Sequence, residues 1–402
     1  MENNAQAPSQ KPSPIPWIII SIFTFITGFL LAILYLQTNP TLLSSSNPTN
    51  TKQTNQKISE QKTEPNSIEL KIPKSTKKGF PIIDNNTLNL YIYSFAQNKL
   101  LDTKTTVDHQ GFSAGLGSST SLQSPNLFYT AFIDKDKNLW IQSNETLEKT
   151  QITKNSLTYY ISGWSPDSKK LVYWIASDKD IQSRKREGMG GPVWEGKEKF
   201  NKNHYPGGFY LLDIENRRTQ NLYPLTDFET FIGNDKILVS GGDDRDRLII
   251  FDYTTFEADY SIKDTFGFGA NQFNISPDGT QWTYTLSRNP TEDANIIFAP
   301  FPDKEGTQID SGRWADVQFP IFSPSAKKIA YIKREGYISS GHPREMTWVY
   351  DIASKTKSGH IQGEPTAWVD ENTIVVRNND HTSNITSYYL LDIASGQSNK
   401  IY

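Results

Sequence analysis

Two different rhythms divide the chain. From Trp17 to Leu36 it reads WIIISIFTFITGFLLAILYL, 20 residues without a charge, 13 of them Ile, Leu or Phe. From Phe80 onward, short apolar runs alternate with polar turns. The first pattern predicts a helix: at about 1.5 Å per residue it matches a hydrocarbon core about 30 Å thick. Trp17 and Tyr35 fall at its two ends, where amphipathic rings favour the membrane interface. A cleaved signal peptide is the rival reading. Its apolar region would be shorter and would end on small residues, whereas this run continues into Gln37-Thr38-Asn39-Pro40. An uncleaved signal anchor is therefore expected, with residues 1–16 as a short cytoplasmic tail. Lys11 precedes the helix and no Lys or Arg follows until Lys52, which orients the rest of the chain outward by the positive-inside rule.

Residues 37–79 are rich in Asn, Thr, Ser, Gln, Lys and Pro and hold no aromatic residue. Such a segment buries too little apolar surface to offset its ordering entropy. It is expected to be a disordered linker with a reach of about 35 Å as a coil.

The second rhythm repeats. GWSPDSKKLVYW (163–174), NISPDGTQWTYT (274–285) and IFSPSAKKIAYI (321–332) align, and FIGNDKILVS (231–240) and AWVDENTIVVR (367–377) are weaker copies. Each is an apolar run, a tight polar turn, then a strand. Proline fixes φ at the first central turn position, Ser and Asp side chains bond nearby backbone, and Gly closes the turn. A second hairpin follows each copy, as in GFYLLDIENRRTQNLY (208–223), RLIIFDYTTFEADYSI (247–262), TWVYDIASKTKSGHI (347–361) and SYYLLDIASGQSNKI (387–401). Four short strands, A to D, recur every 40–50 residues, which is the pattern of propeller blades. Six units start near residues 126, 158, 227, 270, 314 and 364. The first lacks a clear A strand, which Phe112–Leu122 could supply, and an extra hairpin at 88–102 could complete a seventh blade. The expected fold is all-β: a propeller of six to seven four-stranded blades over residues 80–402.

Composition narrows the function classes. Net charge is -3, which gives no support to nucleic-acid binding. Aromatic residues make up 12%, with nine Trp, as suits packing between β layers. Cysteine is absent, so there are no disulfides, thiolate metal sites or cysteine nucleophiles.

The turns carry a resemblance. Ser165-Pro166-Asp167 and Ser276-Pro277-Asp278-Gly279, each followed by an apolar strand, resemble the TolB-type, WD40-like (PD40) propeller repeat. The repeat is similar to that in the propeller domain of prolyl oligopeptidases and dipeptidyl peptidases. Ser323-Pro324-Ser325 departs from it at the Asp position, and the copies at Asp235 and Asp370 lack Ser-Pro. The resemblance implies the fold and leaves the function open, because the motif is a turn. The peptidases also need a separate α/β hydrolase domain, which is not expected in this chain.

Loop lengths point to one face. In a blade, the B–C and D–A connections lie on one side and the A–B and C–D turns on the other. Here the A–B turns are short, while B–C carries insertions at Ser177–Gly207, Gly241–Asp246, Ser287–Asn295, Lys333–Met346 and Asn378–Ser387. Long loops without their own structure are usually functional or disordered. Arg184, Arg186, Trp194, His204, Tyr205, Arg245, Arg288, Tyr337, His342, Arg344 and His381 are the candidate binding residues of that face. Trp and Arg are frequent interface anchors. The histidines suit solvated loops better than a metal site, and Asp134-Lys-Asp136-Lys-Asn138 suits a B–C turn better than a calcium loop, since Gly and the distal Glu are missing. No metal, cofactor or catalytic set is expected. The leading expectation is a protein- or envelope-polymer-binding module outside the membrane. The alternative is a propeller enzyme, such as a carbohydrate-active hydrolase or lyase, with a carboxylate pair at the central funnel.

Overall fold

The computed structural model describes residues 70–108, 123–154, 158–176, 208–222, 228–240, 248–255, 257–259, 270–286, 293–303, 305–313, 316–337, 343–380 and 385–402. All belong to one compact unit running from Glu64 to Tyr402. The expected tail and anchor helix lie outside the described residues, as does the spacer up to residue 69.

Seven antiparallel sheets follow one another along the chain. Blade 1 holds β1 (Gly79–Ile83), β2 (Asn89–Ser94) and β3 (Lys99–Thr106). Blade 2 holds β4 (Tyr129–Ile133), β5 (Leu139–Ser143) and β6 (Lys149–Gln151). Blade 3 holds β7 (Thr158–Trp164), β8 (Lys170–Ile175), β9 (Gly208–Asp213) and β10 (Arg218–Asn221). Blade 4 holds β11 (Thr230–Ile232), β12 (Lys236–Ser240), β13 (Leu248–Asp252) and β14 (Glu257–Asp259). Blade 5 holds β15 (Ala270–Ile275), β16 (Gln281–Leu286), β17 (Asp293–Pro300) and β18 (Thr307–Arg313). Blade 6 holds β19 (Val317–Phe322), β20 (Lys328–Tyr337), β21 (Pro343–Asp351) and β22 (Thr356–Gln362). Blade 7 holds β23 (Glu364–Trp368), β24 (Thr373–Asp380), β25 (Ile385–Asp392) and β26 (Ser398–Lys400). The fold is an all-β, seven-bladed propeller. The extra hairpin at 88–102 is β2 and β3, so the seventh blade is real.

The period of two in each strand builds the ring. Side chains alternate between the two faces of a blade, and both faces are covered. In β8, Val172 packs towards blade 4, while Leu171 and Tyr173 pack towards blades 1 and 2. In β20, Ala330 faces blade 7, and Ile329 and Tyr331 face blade 5. The inner strands are therefore apolar on both sides, and the outer D strands β22 and β26 are largely exposed. Trp282, fully buried, stacks with Phe273 and meets Tyr284 and Phe301 edge-on.

The Ser-Pro turns close each A–B hairpin by one scheme. The Ser165 hydroxyl donates to Asp167 Oδ1 at 2.6 Å and accepts from Lys170 N at 2.9 Å. Ser276 does the same with Asp278 and Gln281. Ser323 keeps only the bond from Lys328 N, since Ser325 replaces Asp. A fourth copy, Ser124-Pro125-Asn126-Leu127, opens blade 2, with Ser124 Oγ bonded to Asn126 Oδ1 and to Tyr129 N. The fourth residue of each turn is left-handed: Leu127 (φ 62), Ser168 (φ 62), Gly279 (φ 75) and Ala326 (φ 57). Neighbouring turns also touch around the ring. Asn126 N donates to Ser168 Oγ, Asp167 N to Asn234 Oδ1, and Ser325 N to Glu371 Oε1. The Asp that ends each C strand, in Val349-Tyr350-Asp351-Ile352 and Leu390-Leu391-Asp392-Ile393, caps the C–D turn: Asp351 and Asp392 each accept from a backbone N–H and a hydroxyl three residues on.

Blade 1 differs from the rest. Gly79 N donates away from β2, to Leu127 O of the blade 2 A–B turn, so β1 starts at the level of the A–B turns and takes the B position. Among the described residues no strand pairs with its inner edge. Because Gly79 points away from β2, Pro81 two residues on has its missing N–H on that same inner edge, where proline is tolerated. Blades 2 and 7 instead meet directly across the inner end of blade 1, Gln123 Nε2 donating to Thr366 O at 3.1 Å.

Left-handed non-glycine residues cost about 1–2 kcal/mol, and glycine returns part of that as unfolded-chain entropy. Ala326→Gly should therefore raise stability by about 0.5 kcal/mol in urea unfolding. Ser168→Gly should not, because it removes the acceptor for Asn126 N. Gly279→Ala should cost more than 1 kcal/mol, roughly, since its Cβ would also lie 3.3 Å from Gly233 N.

Candidate functional site

The two faces of the ring are built differently. The A–B turns are tight and bonded to one another, leaving a plain face. On the opposite face, blades 1 and 2 have short B–C turns at Asp84–Leu88 and Asp134–Asn138, and blades 6 and 7 raise long two-stranded ribbons. The Asp134 turn is an Asx turn: Asp134 Oδ1 accepts from Asp136 N and Asn138 N, and Oδ2 accepts from Trp140 Nε1 at 2.7 Å. Its carboxylate is committed to the hairpin.

Two of the expected insertions are shorter as loops than the sequence suggests. The segment Lys333–Met346 is largely strand, because β20 runs to Tyr337 and β21 begins at Pro343. Asn378–Ser387 is likewise the end of β24 and the start of β25. The reason is cross-strand pairing of polar side chains, which holds the ribbon where apolar alternation stops. Arg334 and Glu345 are in register, with Arg334 Nη2 2.9 Å from Glu345 Oε1. Asn379 accepts from Thr386 at 2.9 Å, and Thr386 accepts in turn from Asn85 of the blade 1 turn at 2.6 Å.

Of the candidate binding residues, Tyr337 ends β20 and Arg344 is exposed on β21, so these two share one ribbon. Arg184, Arg186, Trp194, His204, Tyr205, Arg245, Arg288, His342 and His381 lie outside the described residues.

Between the two ribbons runs a row of charges that sequence reasoning missed. Arg377 and Glu364 are in register across β24 and β23, and their side chains bond. Arg334 and Glu345 stand in the neighbouring blade. A single residue, Gly363, joins the blades, its N donating to Glu345 O at 2.9 Å and its O accepting from Thr347 Oγ1 at 2.7 Å. Its φ of +129 and a Cβ position 2.6 Å from Arg377 O require glycine. Burial works against the Arg377 charge, but Glu364, the Tyr388 phenol and Glu345 outweigh it, and its pKa is raised. Burial raises the Tyr388 phenol to about 12. The row sets two arginine–glutamate pairs side by side, Arg334 with Glu345 and Arg377 with Glu364, and leaves Arg377 Nε buried without a partner.

A second buried cluster joins blades 5 and 6. Asp310, 5% exposed, accepts from Tyr331 Oη at 2.7 Å and from Lys333 at 2.9 Å, and lies 3.3 Å from Lys357 Nζ. Burial raises its pKa, but the bonds from Tyr331 and Lys333 prevail and the net shift is downward. Lys333 lies over the Trp348 ring at 5.2 Å. Among the described residues, every carboxylate with a displaced pKa is displaced downward: Asp84, Asp102, Glu145, Asp252, Asp278, Asp310, Asp351 and Asp392. A general acid would need the opposite shift.

The hydrolase domain is not expected for want of a G-x-S-x-G elbow, and here the sequence corrects that ground: one match occurs, Gly111-Phe112-Ser113-Ala114-Gly115, outside the described residues. Its flanks are propeller strands, β3 and β4, whereas the hydrolase elbow joins a strand to a helix in an α/β sheet.

No family model matches the chain. A curated protein, probable dipeptidyl-peptidase 5 of Aspergillus terreus, is 26% identical over 135 residues, covering 28% of this chain and 18% of that protein's length. TolB from Acinetobacter baumannii is similar in structure, with TM-score 0.43, 14% identity and coverage of 81% of this chain and 77% of that one. An oligogalacturonate lyase in complex with manganese gives 0.49 and 14%, covering 75% and 82%. Oligogalacturonate lyase from Vibrio parahaemolyticus gives 0.47 and 12%, covering 82% and 86%.

Glu364→Gln should cost about 2 kcal/mol or more, by leaving a part-buried guanidinium without its counter-charge. Gly363→Ala should cost at least as much and separate the two ribbons, read as lost chemical-shift dispersion for β21 and β24. Acid unfolding tests the downward shifts. Their folded pKa values lie below 3.8, so their contribution is complete above that pH and is lost as pH falls through the folded values. Asp310→Asn should flatten part of this slope and lower stability at pH 7 by about 2 kcal/mol.

With tight polar turns closing its hairpins and seven sheets in sequence, the chain is a seven-bladed β-propeller, and its two Ser-Pro-Asp turns resemble those of TolB-type repeats.

Proposed function

We propose that this chain is a membrane-anchored propeller that binds a protein or envelope polymer outside the membrane through its B–C face. One observation carries the reading: the plain face uses its turns to bond blade to blade, while the opposite face carries the ribbons of blades 6 and 7 and the longest insertion, residues 177–207. A ring that is rigid on one side and elaborated on the other suits a recognition platform, since binding residues concentrate on loops held by a stable scaffold. The paired arginines and glutamates beside the ribbons of blades 6 and 7 support polar recognition. The anchor rests on the apolar run at 17–36, and the spacer after it would hold the platform off the bilayer.

Two experiments test this. The full chain should stay with membranes through an alkaline carbonate wash and be released by detergent, and removal of residues 1–36 should make it soluble. The fragment from Glu64 to Tyr402 should capture a partner from membrane and envelope extracts. Replacing Ile181–Tyr205 by a short linker should reduce that capture at least tenfold, while Lys355→Ala on the plain face should leave it unchanged. Equal capture by both variants would sink the binding-face reading.

A further inference from the structure

Residues 70–78 make contacts that a spacer does not need. Leu70 is 8% exposed, and Ile72 packs against the core of blades 1 to 3. Lys71 O accepts from the Thr150 hydroxyl on β6. Thr76 N and Thr76 Oγ1 each donate to Glu145 Oε2 at 2.9 Å, and Lys77 Nζ lies 3.1 Å from Glu145 Oε1. These contacts hold the Glu145 carboxyl well below its ordinary value, at about 2. Thr150 lies on β6 and Glu145 in the turn before it, so the segment runs antiparallel beside β6, along the outer side of blade 2. It then turns inward: Lys78 Nζ donates to Val369 O of blade 7, and Gly79 N to Leu127 O of blade 2 at 2.9 Å.

Those contacts meet where the ring needs them. Among the described residues, no strand from one end of the chain completes a sheet at the other end. Blade 7 reaches blade 1 only through side chains and non-ladder bonds: Phe80 against Tyr388, Tyr91 against Tyr402, Asn85 to Thr386. Blade 2 reaches blade 7 through Gln123. We propose that Leu70–Lys78 is a clasp: it ties blade 2 to blade 7 across blade 1, keeps the ring shut at this seam, and lets the seam open when it is released. The inference does not rest on the binding-face reading. It adds that displacement of the chain upstream of Leu70 is felt at the seam, where the blade 7 ribbon touches the blade 1 turn.

Hydrogen exchange of the full chain tests it, peptide by peptide. Glu145→Ala should speed exchange at least tenfold in Gly79–Ile83, Glu364–Trp368 and Ser398–Lys400. Lys236–Ser240 and Gln281–Leu286, across the ring, should keep their protection. Thr76→Ala and Thr150→Val, each removing one side of the clasp, should give the same pattern more weakly, and they decide the question if Glu145→Ala fails to fold. Faster exchange confined to residues 70–78, spread evenly over all blades, or absent would overturn the proposal.

Discussion

The ring depends on a serine hydroxyl that accepts from a backbone amide across each Ser-Pro hairpin. In each Ser-Pro turn this group fixes the A–B hairpin, and three of the four turns also bond the turn of the next blade. Asn126 N reaches Ser168 Oγ, and Asp167 N reaches Asn234. Each such bond is worth about 1 kcal/mol at most. They hold blades 2, 3 and 4, and blades 6 and 7, at one height, and the period-two strands interleave their apolar faces. The left-handed residue in each turn is a local cost accepted for that registration.

Once the turns are used in this way, their face is spent, and variation is left to the other side. The ribbons of blades 6 and 7 leave the ring there, held by ionic and amide pairs in register. Gly363 sets the spacing between them. A one-residue crossing brings Glu345 and Glu364 into one row with their arginines, and no side chain beyond hydrogen fits at that crossing.

Much of the fold was legible because the repeat writes its turn chemistry into the sequence. Ser276-Pro277-Asp278-Gly279 announces a turn, and Leu390-Leu391-Asp392-Ile393 announces a C strand with its cap. Blade 1 was harder to count because its inner edge has no A–B turn to display, and Asn126 and Leu127 disguise the turn of blade 2. The ribbons were read as loops because Lys333-Arg334-Glu335 has no apolar alternation. Their pairing depends on partners across the strand, which a linear sequence does not show. The row at Arg377 was hidden for the same reason, since its members are separated by up to 43 positions, from Arg334 to Arg377. Leu70 and Ile72 were counted with a spacer because two aliphatics among lysines signal burial only when a surface awaits them.

An unpaired strand edge inside a sheet protein is a template on which another chain can grow. Among the described residues no strand covers the inner edge of β1, which by itself would be such a template. Pro81 removes the donor at its middle, and the amide of Asn144 occupies Gly79 O beside it. A foreign strand would find a broken ladder there. One imino acid thus breaks the ladder on the edge of β1 that, among the described residues, no strand covers.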